Sequence, residues 1–191
     1  MGCPMACPAL TNSFHLPALK HLGQLADTKP TILVDTREQE PLVFQHLESV
    51  RGTLITGDYS VVGMTELIAI ERKTVQDLVG CCVGDNRDRF QRELHRLRGY
   101  RFKRLLIVGS RGEIEMQRYV SRISPKSVLG SLNAWEVRFD LPVVFCQTPE
   151  IASRQIETWA WYFAREAIEN VNDIWRAAAG DNNASKLQQS A

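Results

Sequence analysis

Ile68-Ala69-Ile70-Glu71-Arg72-Lys73 is an apolar run that ends in three charges. Its β-branched residues favour a buried strand, and a strand sends alternate side chains to opposite faces. Ala69, Glu71 and Lys73 therefore share one face, and Ile68, Ile70 and Arg72 the other. A Glu-Arg-Lys triplet taken alone reads as a solvated patch. At the end of an apolar strand the same charges are paired or functional, because an unpaired ion beside a core is strongly disfavoured.

Working outward, Pro30 precedes a β-branched run, Thr31 to Val34, that reads as a buried strand with Asp35 at its carboxyl end. Thr53 to Thr56 and Tyr59 to Val62 read as two short strands around the turn Gly57-Asp58, and Leu67 to Lys73 as another strand. Thr74 suits the cap of a short helix through Leu78. From Asn86 to Arg98 the period becomes helical, with Phe90, Leu94 and Leu97 on one stripe and Gly99 as its stop. Arg104 to Gly109 reads as a strand and Glu113 to Tyr119 as a helix. A further helix starts at Ser124-Pro125 and carries Val128, Leu132, Trp135 and Phe139. Leu141 to Cys146 is the last strand, and Thr148-Pro149-Glu150 opens a long final helix. Strands followed by strand–helix alternation predict an α/β sheet with helices on both faces.

In that arrangement Asp58, at a turn beside the Glu71 strand, and Asp35, at the end of a neighbouring strand, bring two more carboxylates to Glu71. Three converging carboxylates repel one another unless a cation lies between them, and such oxygen ligands suit Mg²⁺ or Mn²⁺. The expected metal set is Asp35, Asp58 and Glu71, an arrangement that would polarise a scissile phosphate and activate a water. Lys73, while protonated, would orient that water and neutralise phosphoryl oxygens. Glu38, three residues along from Asp35, would hold a water or assist proton removal. Arg37 and Arg72 offer guanidinium forks for backbone phosphates. For Asp77, capping or pairing with Lys73 is preferred over a role in steering Lys73 or Arg72.

Net charge is +1, so the total says little about partners, but the distribution says more. Asp85 to Arg104 holds eight Arg or Lys against three Asp or Glu, an excess that attracts a polyanion. An ordinary solvated helix face explains the same count, and charge alone leaves both readings open. Five cysteines, at positions 3, 7, 81, 82 and 146, make an odd number without a secretory stretch ahead of them, a pattern unlike a disulfide framework. No apolar run is long enough to span a membrane. The expectation is a reducing intracellular compartment, cytoplasmic in a bacterial or phage setting and nuclear in a eukaryotic one. Residues 1–29 read as a flexible arm with at most a short helix near Leu16 to Leu25, residues 30–176 as the folded domain, and residues 177–191 as a disordered tail. On the last helix Ile156, Trp159, Ala160, Phe163, Ala167 and Ile168 form one apolar stripe, widened by Trp161 and Tyr162, with Trp175 just beyond. A stripe of this width predicts a homodimer through the C-terminal helix, the alternative being cover from the same domain.

Val34-Asp35-Thr36-Arg37-Glu38, Gly57-Asp58-Tyr59 and Ile70 to Leu78 together resemble the nuclease domain of the XPF/Mus81 family, the ERCC4 domain. The resemblance covers roughly Thr31 to Val171. It implies a restriction-endonuclease-like fold, a central mixed sheet flanked by helices, and a Mg²⁺- or Mn²⁺-dependent endonuclease for branched DNA such as flaps, forks and junctions. Residue by residue it implies Asp58 and Glu71 as metal ligands, with the Arg72 carbonyl, and Asp35 and Glu38 completing the acidic centre. Lys73 belongs to the hydrolytic centre, Arg37 and Arg72 to the phosphate contacts, and Arg87 and Arg89 to a basic stretch that approaches DNA. Family members usually carry a tandem helix-hairpin-helix module or a helicase part. No Gly-centred hairpin is visible in the last thirty residues, so a compact nuclease is the expectation, with a recruiter protein as a possible source of duplex grip. A non-catalytic DNA-binding or scaffold subunit is the main alternative; the intact acidic positions speak against it.

Overall fold

The computed structural model describes residues 29–178. The helix expected near 16–25 and residues 179–191 of the expected tail lie outside the described residues, while Ala177 and Ala178, expected to be disordered, continue the last helix. A six-stranded mixed sheet runs in the order β2-β1-β3-β4-β5-β6, with β1 at Ile32–Asp35, β2 at Ser49–Gly52, β3 at Tyr59–Val61, β4 at Ile68–Thr74, β5 at Phe102–Val108 and β6 at Val143–Cys146. β4, β5 and β6 are parallel, β3 is antiparallel to both of its neighbours, and β2 is parallel to β1. Among the described residues five helices follow or join the strands: α1 (Val75–Gly80), α2 (Gly84–Leu97), α3 (Arg111–Glu115), α4 (Pro125–Phe139) and α5 (Pro149–Ala178). None of the described helices is long and apolar enough to cross a membrane.

Strand alternation divides the core into two layers. Ala69, Leu105 and Ile107 face a layer built from Val75, Leu78, Phe90, Leu94, Val128 and Trp135 of α1, α2 and α4. Ile68, Ile70 and Leu106 face the other, with Tyr59, Ala152, Ile156, Ala160 and Phe163, which α5 closes. Each fully buried side chain of this kind contributes roughly 1.5–3 kcal/mol. Glu71 and Lys73 therefore point toward α2 while Arg72 points toward α5, as the alternation of β4 requires.

Two expectations need correction. Thr53 to Thr56 is not a strand; the pairing segment is Ser49–Gly52, whose residues are mostly exposed at the sheet edge and carry no apolar alternation. The hairpin expected around Gly57-Asp58 is consequently absent, and β1 lies between β2 and β3. The helix expected over Glu113 to Tyr119 is α3, which ends at Glu115. Its start is set by a capping box in which Ser110 and Glu113 satisfy each other's backbone N–H, and Gln117 follows with a left-handed φ of 52°.

The apolar stripe of α5 also divides. Ile156, Ala160 and Phe163 are buried against the sheet, so the domain itself covers most of it. Trp161, Tyr162, Ile174 and Trp175 remain exposed.

Candidate active site

Gly57 has φ of +81°, and a side chain there would crowd the Ile70 carbonyl at 3.1 Å, so the tight entry into β3 depends on glycine. That turn lets the Asp58 N–H donate to the Ile70 carbonyl (2.8 Å). In return Asp58 Oδ2 accepts the Arg72 N–H at 2.8 Å, which fixes the carboxylate beside position 71. Glu71 is 1% exposed. Its Oε1 accepts from Lys73 Nζ, and its Oε2 is buried with no hydrogen-bond partner. Lys73 Nζ also donates to the Arg72 carbonyl (3.3 Å) and stands 5.4 Å over the Phe90 ring.

The electrostatics follow from burial. Desolvation, then the Asp58 charge, pushes the Glu71 carboxyl well above the usual carboxylate range, although Lys73 opposes this. Burial likewise raises Asp58 to about 6; Lys73 and the Arg72 N–H pull it down, and the charges of Glu38 and Glu93 push it up. Burial works against the charge on Lys73, but the neighbouring Glu71 and Asp58 outweigh it and hold the ammonium firmly protonated. One ammonium thus serves two carboxylates. A buried oxygen without a donor and a second carboxylate with a raised pKa fit a hard divalent cation bound between Asp58 and Glu71.

Asp35 and Glu38 are differently placed. Asp35 accepts the Arg37 N–H (2.8 Å), Arg37 Nε (2.7 Å) and Nη2 (3.2 Å), and the Leu54 N–H (2.7 Å). Burial alone would raise its pKa, but these donors win and hold it below the usual range. Glu38 forms a two-pronged pair with Arg72 (3.1 and 3.2 Å) and accepts the Glu40 N–H at 3.0 Å. Among the described residues no three His, Cys, Asp or Glu side chains converge on a ready metal site. The three-carboxylate set of Asp35, Asp58 and Glu71 is therefore not assembled, because both Asp35 oxygens are turned to Arg37 and Leu54. Arg72 and Arg37 correspondingly spend donors on Glu38 and Asp35. Arg37 stays 67% exposed; Arg72, at 11%, does not.

A cleft of about 630 Å³ opens over these residues, bounded by Arg37, Glu38, Asp58, Lys73, Gln76 and Arg89 among others. The two arginines expected to meet DNA separate. Arg89 is exposed and lines the cleft. Arg87 turns away, donating to Ser131 Oγ (2.7 Å) and lying 5.3 Å from the Trp135 ring. Asp77 caps α1 together with Thr74 (2.7 and 3.1 Å), the structural role preferred for it. Two contributors escaped the sequence reading. Arg51 binds the Thr36 and Glu38 carbonyls (3.2 and 2.9 Å) and braces the loop that carries Glu38. Half-buried Glu93 sends its negative charge toward Asp58, Glu71 and Lys73. It follows Asn86 and Arg89 at helical intervals of three and four, and that spacing was the available signal.

The fold and this site define a class, and the comparisons name it. The family model of the ERCC4 domain matches residues 34–157, and the chain belongs to that family. Two solved structures share the fold, a mixed sheet with flanking helices of the restriction-endonuclease-like kind. XPF from Aeropyrum pernix matches at 22% identity and TM-score 0.56, over 69% of this chain and 60% of that one. XPF from Aeropyrum pernix in complex with DNA matches at 18% identity and TM-score 0.56, over 73% of this chain and 66% of that one. The matched region thus spans under two thirds of either relative's length. A comparison with curated proteins returned no match.

Proposed function

We propose that this chain is a divalent-metal-dependent DNA endonuclease that cuts phosphodiester bonds in branched DNA, at flaps, forks or junctions. The observation that carries the reading is the buried, unpartnered oxygen of Glu71, set beside Lys73 and Asp58, which line a cleft that Arg37 and Arg89 flank. Membership in the ERCC4 domain family supports it, as does a fold shared with an XPF whose structure was determined in complex with DNA.

Asp58 and Glu71 are the residues that would hold Mg²⁺ or Mn²⁺. Such an ion supplies charge to polarise the phosphate and a water of lowered pKa. The rest of the work falls to the chain. Lys73, kept protonated by its two carboxylates, donates to a phosphoryl oxygen as negative charge develops there. Arg89 holds the DNA backbone at the mouth of the cleft, with the outward side of Arg37. Asp35 and Glu38 act on the centre through their neighbours: Asp35 fixes Arg37 and the Leu54 loop, and Glu38 fixes Arg72, whose N–H positions Asp58. The exposed aromatic residues Trp161, Tyr162 and Trp175 of α5 support a homodimer, and a recruiter protein would add duplex grip.

The test is cleavage of a labelled flap in Mg²⁺. Wild type cuts it, while Asp58→Ala does not, yet binds the same DNA in EDTA. A wild-type protein that binds flap, fork and four-way junction without cutting any of them would favour the scaffold reading instead.

A further inference from the structure

β4 and β5 are parallel, and their last residues, Thr74 and Val108, are partners. The segments that leave them therefore begin side by side at the carboxyl ends of these two strands, where Lys73 also lies. Gly109 tightens this junction. Its φ is +133°, and a Cβ there would lie 2.6 Å from Val75 of α1. Past α3 the chain returns to the cleft. Val120 N–H donates to Gln76 Oε1 (2.9 Å), and Gln76 Nε2 donates to the Val120 carbonyl (3.3 Å). Gln76 itself lines the cleft.

Residues 116–126 contain Arg118, Arg122 and Lys126 and no acidic residue. All three cations are exposed, and none is ion-paired among the described residues. The loop is held in shape from within. Arg118 N–H donates to the Glu113 carbonyl (2.8 Å), the Tyr119 hydroxyl donates to the Ile123 carbonyl (2.9 Å), and both Tyr119 and Ile123 pack on the core. With those two side chains drawn in, Val120 is turned out and is 88% exposed, and Met116 is 65% exposed. A lone exposed valine needs no explanation. One fixed beside a cleft residue by both polar atoms of its side-chain amide, in a segment that carries three unpaired cations, presents an apolar tip in a polyanion-binding setting.

We infer that the 116–124 loop, with Lys126 in the first turn of α4, is a second DNA-contacting element, which holds the duplex arm beside the scissile phosphate and sets Val120 against the base pair at the branch point. Arg118, Arg122 and Lys126 take backbone phosphates, a sequence-independent and salt-sensitive contact. Val120 covers the face of the terminal base pair that branching leaves unstacked, the position that apolar wedges occupy when they enter a base step. A continuous duplex offers no such face, so the loop favours branched DNA over linear DNA. The inference rests on the DNA-nuclease reading above and adds the origin of its substrate preference.

The experiment uses the full chain, wild type and Val120→Ser, with a fluorescent base analogue at the branch point of a fork. Binding is measured in EDTA and cleavage in Mg²⁺. Because Val120 is exposed and its two bonds to Gln76 are made by the backbone, the serine variant keeps its fold. Wild type raises the analogue's fluorescence on binding, and Val120→Ser loses that rise and cuts the fork about tenfold more slowly, the scale of one lost base contact. Arg118→Ala lowers affinity for the fork and reduces the salt slope by about one. Val120→Ser with wild-type fluorescence and rate, or Arg118→Ala with an unchanged salt slope, overturns the inference. The two failures separate cleanly. A fluorescence rise without cleavage in Mg²⁺ or Mn²⁺ sinks the nuclease reading and leaves the loop contact standing, whereas cleavage that ignores both substitutions sinks the loop alone.

Discussion

Asp35 and Glu38 are each held by an arginine fork, whereas Asp58 has a single backbone N–H donor and Glu71 a single ammonium. Asp35 receives four hydrogen bonds and Glu38 three, each including an arginine fork. Asp58 and Glu71 share one lysine, and one Glu71 oxygen has no donor at all. Carboxylates of neighbouring segments are thus put to different uses. The first pair organises the chain, and its worth should be read in stability. The second pair is under-compensated by design of its surroundings, and its worth should be read in metal binding and turnover.

Substitution should separate the pairs most sharply in catalysis. Glu71→Gln and Asp58→Asn each lower Mg²⁺-dependent cleavage by on the order of a hundredfold or more, with DNA affinity in EDTA preserved. Lys73→Ala belongs with them, lowering turnover far more than affinity, as single-turnover kinetics would report. Asp35→Ala behaves differently. It strips partners from Arg37 and the Leu54 N–H and destabilises the fold by about 2–4 kcal/mol in urea titrations, the range for lost hydrogen bonds to a charged group. A folded, fully stable Asp35→Ala protein that merely lost its metal would erase the distinction.

The pH dependence of Asp58 and Glu71 has the opposite sign to that of Asp35. Asp58 and Glu71 have raised folded-state pKa values, so above the ordinary carboxylate pKa, and up to about 6 in the case of Asp58, the folded protein holds protons that the unfolded chain releases. Their contribution favours folding at low pH and is lost as pH rises through that window. Asp35, with a lowered pKa, contributes stability above its ordinary value that disappears on further acidification. Added Mg²⁺ should therefore raise Tm little at pH 5 and by several degrees, about 3–6 °C, at pH 8. Equal shifts at both values, measured by thermal scanning, would mean that the ion binds elsewhere.

The smallest expected effect separates the two arginines of α2. Arg89→Ala weakens DNA binding and reduces its salt slope by about one. Arg87→Ala leaves the slope alone and costs stability through Ser131 and Trp135. A lost slope in both variants would return Arg87 to the DNA face.

Much of this was legible in the chain because β4 and α2 have strong periods. Alternation placed Glu71 with Lys73 and opposite Arg72, and helical spacing buried Phe90, Leu94 and Leu97. β2 was not legible, since Ser49–Gly52 is an exposed edge whose strand character comes from pairing with β1 and not from its own side chains. The commitments of the carboxylates were equally hidden. Nothing in Asp35-Thr36-Arg37-Glu38 announces that Asp35 takes Arg37 locally while Glu38 reaches across 34 residues to Arg72. Such pairings depend on how the β1–β2 loop folds back, and hydrophobic period carries no information about that.

Asp58 and Glu71, and not Asp35, are the proposed ligands of the divalent ion. Calorimetric titration of Mn²⁺ into wild type, Glu71→Gln, Asp58→Asn and Asp35→Asn at pH 8 tests this assignment without reference to cleavage. One ion per chain should bind to wild type and to folded Asp35→Asn, and binding should vanish in the other two. Undiminished binding in Glu71→Gln and Asp58→Asn would contradict the account.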